Sequence, residues 1–341
     1  MTVEHIMFRS GDVRCAADLY LPGDTGEPVP GVVMGHSVHM VKEALAPSAA
    51  YLVRAGFAVL AIDYRTIGAS EGLPRGQVFP QRYVDDVRNG VSFLAGRPEV
   101  DPARIGLWGH SLGATVMIQA AAIDRRVTCV VCQNPSMFSG WRAMEKARGR
   151  PGVQTMLDAV DRDRQQRYET GTGIRAPLLG NGDSDIADYL QLAKEVFPTF
   201  DDEVEVESLA QVLLWAPEAF IDRVAPRPLL MVTGREDLTH DIGEVLDAYA
   251  KAREPKRLEL LPFDERGLSV EPGLGQSMTI AVEWFDRHLR QAPRFVPSPP
   301  ADEVRARGLR PEFLGVGGSA GSVSSPSGPP GAAESPLRDR G

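Results

Sequence analysis

The chain has 341 residues, of which 43% are hydrophobic and 24% are charged, enough for one large domain or two ordinary ones with a buried core. Its formal net charge is −9, with acidic and basic residues mixed along the chain, which argues against nucleic acid and anionic membranes as partners. No apolar run approaches the roughly 18 to 20 residues that cross a bilayer, and the first residues lack the pattern of a signal peptide. These features predict a cytoplasmic protein that binds a small molecule.

In chain order, residues 4–23 come first, and their alternating hydrophobicity predicts an antiparallel hairpin at the edge of a sheet. Continuous apolar runs then alternate with amphipathic stretches, which is the pattern of parallel strands covered by helices on both faces. The runs predicted as strands are 30–36, 57–64, 104–110, 127–133, 227–234 and 256–263. We therefore expect an α/β fold with a mostly parallel central sheet.

Two segments depart from this alternation. Residues 136–225 separate two of the predicted strands, and an insertion of that length predicts a helical cap rather than a loop. From Ala292 onward Gly, Pro, Ser and Ala dominate and no periodicity survives, which predicts a mostly disordered tail. The expected organisation is an α/β domain over 1–291 that contains the cap, followed by the tail over 292–341.

The stretch "IGLWGHSLGATVMIQAAA", residues 105–122, combines a buried strand, a tight turn and a helix of small residues. Its centre fits the G-x-S-x-G pattern, in which glycines at 109 and 113 leave space for a strained turn that lifts the Ser111 hydroxyl out of the sheet. The backbone N–H of Leu112, at the start of the helix, faces the place where an oxyanion would develop. Ser111 is therefore the candidate nucleophile and Leu112 the first oxyanion donor.

Three further stretches resemble those of α/β-hydrolases. "VVMGHSVH" (32–39) resembles the oxyanion loop, "DYRTIGASEG" (63–72) the D-x-R-G-x-G-x-S-x-G turn with Thr66 in place of a glycine, and "LLMVTGREDLT" (229–239) the strand and loop that carry the acidic residue of the triad. The resemblance covers about residues 1–290 and is closest to the dienelactone-hydrolase and peptidase-like branch with a helical cap.

The resemblance implies an α/β-hydrolase fold and chemistry on small esters, lactones or natural-product intermediates. It places the acidic role on Asp237 and the second oxyanion donor on the backbone near Ser37 and Val38. The chain has neither a Gly-rich phosphate loop before a helix nor a His/Cys/Asp cluster at metal-ligand spacing. Neither a cofactor nor a metal is therefore expected.

The third triad residue of that branch, a histidine after the last core strand, is missing. The lead-in "AREPKRLELLP" is present, but the chain continues "FDERGLSVEPG", so that Glu265 stands at or within a residue or two of the histidine position. No histidine occurs between His240 and His288. Because a serine hydroxyl needs a base near neutrality to become nucleophilic, the base must come from elsewhere.

Several residues are alternatives for that base. His240 lies three residues after Asp237 on the same loop. His36 and His39 flank the predicted oxyanion loop and are also candidates for substrate binding. Glu265 would act differently from a histidine. A carboxyl group close to Asp237 would keep its proton to a higher pH, because two like charges resist joint ionisation, and it could transfer that proton to and from a carbon atom.

Three functions follow from these alternatives. The first is an enzyme that attacks an ester, thioester, lactone or related carbonyl group through Ser111. The second is a variant that does not hydrolyse, in which the oxyanion pocket stabilises an enolate while Glu265 or a pocket histidine moves a proton, giving epimerisation, cyclisation or elimination. The third is a catalytically silent binding protein with the same fold.

Overall fold

The computed structural model describes residues 2–23, 26–38, 40–177, 184–236 and 241–291. Two sheets are built from the strands β1 (Thr2–Ser10), β2 (Val13–Leu21), β3 (Val29–Gly35), β4 (Ala58–Ile62), β5 (Val100–His110), β6 (Val127–Gln133), β7 (Arg175–Pro177), β8 (Glu203–Glu205), β9 (Leu229–Gly234) and β10 (Lys256–Leu261). The main sheet has eight strands in the order β1-β2-β4-β3-β5-β6-β9-β10.

The first two strands form the predicted hairpin, since β1 pairs antiparallel with β2, and β2 pairs antiparallel with β4. All remaining neighbours in the main sheet pair in parallel. The six apolar runs of the sequence correspond to β3, β4, β5, β6, β9 and β10. The predicted fold class, a mostly parallel central sheet with helices around it, is therefore confirmed.

Helices cover both faces of this sheet, which explains why its strands are apolar without alternation. The helices are α1 (Ala46–Arg54), α2 (Pro80–Ala95), α3 (Leu112–Ile123), α4 (Gly140–Thr170), α5 (Ser184–Val196), α6 (Glu207–Leu213), α7 (Ile242–Lys251) and α8 (Gly273–Phe285). One core layer contains Leu52 of α1 and Met278 of α8, and the opposite layer contains Val87 of α2 and Val116 of α3.

The segment between β6 and β9 carries α4, α5 and α6, as expected for a helical insertion, and also the two-stranded antiparallel sheet of β7 and β8. This small sheet was not predicted, because strands of three residues show no periodicity. The proposed domain boundaries stay a prediction, and the segment predicted as a tail, 292–341, lies outside the described residues.

Aromatic side chains join the inserted segment to the main sheet's helices. Phe138 is fully buried, and the indole N–H of Trp215 donates to Thr115 Oγ1 on α3 at 3.2 Å. The insertion is also held at the loop after β4, where the N–H of Glu205 donates to the carbonyl of Gly76 at 3.0 Å. These contacts fix the insertion beside the carboxyl ends of the strands.

In the part of the chain that the structure describes, no helix has both the length and the apolar character that spanning a membrane requires.

Candidate active site

The turn at Ser111 lies at the carboxyl end of β5, immediately before α3. Ser111 has φ 54° and ψ −121°, a conformation that costs a non-glycine residue about 1–3 kcal/mol. Its N–H donates to the carbonyl of Gln133 at 3.0 Å, which ties the turn to the end of β6. A Cβ atom on Gly109 would lie 2.5 Å from the carbonyl oxygen of Gly113. Position 109 therefore has space only for a glycine.

The segment 36–38 runs beside the start of α3. A Cβ atom on Gly113 would overlap the carbonyl oxygen of His36 and lie 2.6 Å from that of Gly35, so the two backbones approach as closely as they can. The first-turn N–H groups of a helix have no acceptor within the helix, and the N–H of Leu112 is one of them. The structure thus brings the predicted donor Leu112 close to the backbone of the segment that holds Ser37 and Val38.

His36, a candidate for substrate binding, contacts a backbone carbonyl and two neighbouring side chains. The side chain is 1% exposed. Its Nδ1 lies 2.8 Å from the carbonyl oxygen of Ser37, its Nε2 lies 3.8 Å from Oδ1 of Asp63, and its ring packs edge-on against Tyr64. These contacts tie the segment 36–38 to the end of β4.

Asp63, the first residue of the "DYRTIGASEG" stretch, is a fully buried carboxyl group at the end of β4. Its Oδ1 accepts the N–H of Lys42 at 2.7 Å, and its Oδ2 accepts the N–H of Ala69 at 2.9 Å. Burial raises the pKa of Asp63 to about 7, against the lowering effect of these two hydrogen bonds and of the Lys42 ammonium group. The carboxyl group therefore holds together two loops that border the site.

Ser136 is a residue of the site that sequence reasoning missed. Its hydroxyl lies 3.0 Å from that of Ser111. The two serines are 25 positions apart in sequence, so no local pattern marks their contact. The signal that was available is the position of "NPS" (134–136) directly after a predicted strand of the parallel sheet.

Glu265 lies on the loop after β10 and is half-buried. This loop packs against neighbouring strand ends, because the N–H of Glu236 donates to the carbonyl of Phe263 at 3.1 Å and the Nε2 of Gln133 donates to the carbonyl of Leu268 at 3.1 Å. Gln133 therefore hydrogen-bonds both to the backbone of Ser111 and to the loop that carries Glu265.

The remaining candidates, His39, Asp237 and His240, lie outside the described residues. The strand that leads to Asp237 and His240 ends at Gly234, whose N–H donates to Oδ1 of Asn134 at 3.1 Å. The described part of the chain therefore places the start of that loop beside the turn of Ser136. The roles of all predicted site residues stay predictions.

Comparison with known proteins adds a family match and several relatives. Residues 10–264 match the family described as X-Pro dipeptidyl-peptidase (S15 family). A polyketide transferase of Stachybotrys chlorohalonatus is 30% identical over 249 residues, covering 70% of this chain and 80% of its own. A thiohydrolase of Aspergillus aculeatus is 28% identical over 271 residues, covering 76% of this chain and 84% of its own.

Solved structures show the same architecture. The crystal structure of an α/β-hydrolase from Penicillium has a TM-score of 0.74 at 21% identity, covering 85% of this chain and 100% of that one. A hypothetical protein of Pseudomonas aeruginosa has a TM-score of 0.74 at 26% identity, covering 84% of this chain and 94% of that one. The chain therefore has the α/β-hydrolase fold.

The close approach at Gly113 yields a stability prediction. We expect Gly113→Ala to lower the free energy of unfolding by about 1–3 kcal/mol, because the new methyl group meets backbone carbonyls that cannot move aside. Urea unfolding measures this change. Gly90→Ala is the matched control, since a Cβ atom there meets only ordinary contacts at 3.4 Å or more and alanine favours a helix. Equal stability of the two variants would contradict the packing described here.

The buried Asp63 yields a pH prediction. A carboxyl group whose pKa is raised by folding stabilises the fold below its unfolded pKa, and this contribution is lost as the pH rises through about 7. Relative to Asp63→Asn, wild-type protein should therefore lose roughly 2–4 kcal/mol of unfolding free energy between pH 4 and pH 8. Chemical unfolding at several pH values tests this. Asp85→Asn, on the exposed face of α2, is the control that should show no such trend.

Proposed function

Because the chain belongs to the X-Pro dipeptidyl-peptidase (S15) family, we propose that it is an acyl-transferring enzyme that attacks a small-molecule ester or thioester through Ser111. The observation that carries this proposal is the strained turn at Ser111 beside the first turn of α3. Such strain persists where the surrounding structure maintains it, and it clusters at reacting groups. The glycines on both sides of Ser111 serve this one conformation.

The relatives support a substrate class. Their names describe a polyketide transferase and a thiohydrolase. We infer that the substrate of this chain is a thioester or ester of a natural-product intermediate. An apolar acyl chain suits the acidic protein better than a polyanion does, because the net charge is −9.

The proposed reaction has two halves. The Ser111 oxygen attacks the carbonyl carbon while a base takes its proton, and the oxyanion accepts hydrogen bonds from the N–H of Leu112 and from the backbone at Ser37 or Val38. The leaving thiol or alcohol then takes the proton from the protonated base. Water or an acceptor hydroxyl attacks the acyl-enzyme in the second half. In this scheme Asp237 orients or polarises the base, for which His240 is the candidate on the same loop.

A second candidate function is favoured by the loop of Glu265. This residue is half-buried rather than free in solvent, and its loop is hydrogen-bonded to the same glutamine that holds the backbone of Ser111. In this alternative the oxyanion pocket stabilises an enolate, and Glu265 moves a proton at the neighbouring carbon. No acyl-enzyme forms in such a reaction.

Replacement of Ser111 tests the first proposal. Ser111→Ala should lower the turnover of S-butyryl-N-acetylcysteamine by at least about 1,000-fold, because no other group forms the acyl-enzyme. The same variant should resist labelling by a fluorophosphonate. Ser277→Ala is the matched control, since the hydroxyl of this buried serine donates within α8, to the carbonyl of Leu274 at 3.0 Å. Full activity of Ser111→Ala would overturn the covalent mechanism.

Replacement of Glu265 separates the two candidates. If Glu265 moves the proton, the wild type in deuterium oxide should place deuterium next to the carbonyl group of the same thioester. Glu265→Gln should abolish this exchange and Ser111→Ala should retain it, because a neutral amide cannot accept the proton. Mass spectrometry of the recovered thioester measures the exchange. Its absence in the wild type would exclude the second candidate for this probe.

A further inference from the structure

Ser136 makes two contacts with the residue proposed as the nucleophile. The two hydroxyl oxygens lie 3.0 Å apart, and the N–H of Ser136 points to the carbonyl of Ser111 at 3.4 Å. Ser136 is 9% exposed and Ser111 is 5% exposed. The hydrogen bond between the hydroxyl groups is therefore shielded from bulk water and stronger than a similar bond at the surface.

The turn that carries Ser136 is held in place from several sides. The N–H of Asn134 donates to the carbonyl of Val232 at 2.8 Å, and the N–H of Ser139 donates to Oε1 of Glu244 on α7 at 3.0 Å. Asn134 and Met137 have φ angles of 43° and 58°, a region that non-glycine residues rarely occupy. Two such residues flank Ser136, and the fold maintains this strain while the hydroxyl group faces Ser111.

We propose that Ser136 is a catalytic residue that stabilises the Ser111 oxygen when this oxygen leaves the acyl group, an inference that rests on the proposed covalent function. A serine hydroxyl has one proton to donate and can rotate between partners. Once Ser111 is acylated, its oxygen carries no proton and can only accept a hydrogen bond. The contact between the two residues can then persist only if Ser136 donates.

The hydrogen bond donated by Ser136 acts in the second half-reaction. Water or an acceptor hydroxyl forms a bond to the acyl carbon and passes its proton to the base. The bond between that carbon and the Ser111 oxygen then breaks, and the oxygen leaves with the electron pair. The hydrogen bond from Ser136 stabilises this developing negative charge until the protonated base returns its proton to Ser111. Ser136 keeps its own proton throughout.

Ser136→Ala should therefore prolong the life of the acyl-enzyme. After wild type and variant are mixed with S-butyryl-N-acetylcysteamine, intact-mass measurements follow the butyryl adduct on Ser111. We expect the adduct to decay at least about tenfold more slowly in Ser136→Ala, which is the effect of one hydrogen bond to a charged oxygen. The rate of fluorophosphonate labelling, which reports attack by Ser111, should change less than threefold.

Two further variants distinguish chemistry from packing. Ser136→Thr keeps the hydroxyl group and should restore most of the decay rate, whereas Ser277→Ala should behave as the wild type. An adduct that decays equally fast in Ser136→Ala and the wild type overturns this role. An equal fall in labelling and decay together with a lower unfolding free energy also overturns it, since that pattern is structural. Absence of an adduct in every variant, together with full turnover by Ser111→Ala, instead overturns the covalent function itself.

Discussion

The approach of two backbones at the start of α3 is the constraint on which the site depends. Gly113 lies against the carbonyl groups of Gly35 and His36, where a side chain has no space. Gly35 is itself confined, because a Cβ atom there would overlap the hydroxyl group of Tyr64. The ends of β3, β4 and β5 therefore converge through small residues. This convergence places the segment 36–38 beside the turn at Ser111 and leaves it little space to move.

Backbone strain is concentrated at the same edge of the sheet. Among the described residues, the non-glycine positions with positive φ are Thr66, Ser111, Asn134 and Met137. Asn134 and Met137 flank Ser136, whose hydroxyl lies 3.0 Å from that of Ser111. A buried ionisable group is found there as well, since Asp63 is fully buried and burial raises its pKa to about 7. The apolar layers on both faces of the sheet supply the stability that maintains these unfavourable features.

The sequence predicted the parts of the fold that have local signals. Continuous apolar runs marked the central strands, alternation marked the β1–β2 hairpin, and the spacing of Gly109, Ser111 and Gly113 marked the strained turn between β5 and α3. The contact between Ser136 and Ser111 could not be predicted from the sequence. It depends on how β6 lies beside β5 and on two residues with left-handed backbone angles in one turn. The hydrogen bond from Gln133 to the loop of Glu265 could not be predicted from the sequence for the same reason. Both contacts join segments that are distant in sequence.

The contact between the two serines also bears on the choice between the two candidate reactions. In proton transfer at Glu265, neither hydroxyl group changes its charge, and a strained turn that brings Ser136 to Ser111 has no chemical use. In the proposed covalent acyl transfer, the Ser111 oxygen gains negative charge as it leaves the acyl carbon in the second half-reaction. A donor at 3.0 Å then acts on an atom whose charge changes. The strain at Met137, which costs about 1–3 kcal/mol, and the left-handed backbone of Asn134 therefore favour the proposed covalent route over proton transfer at Glu265.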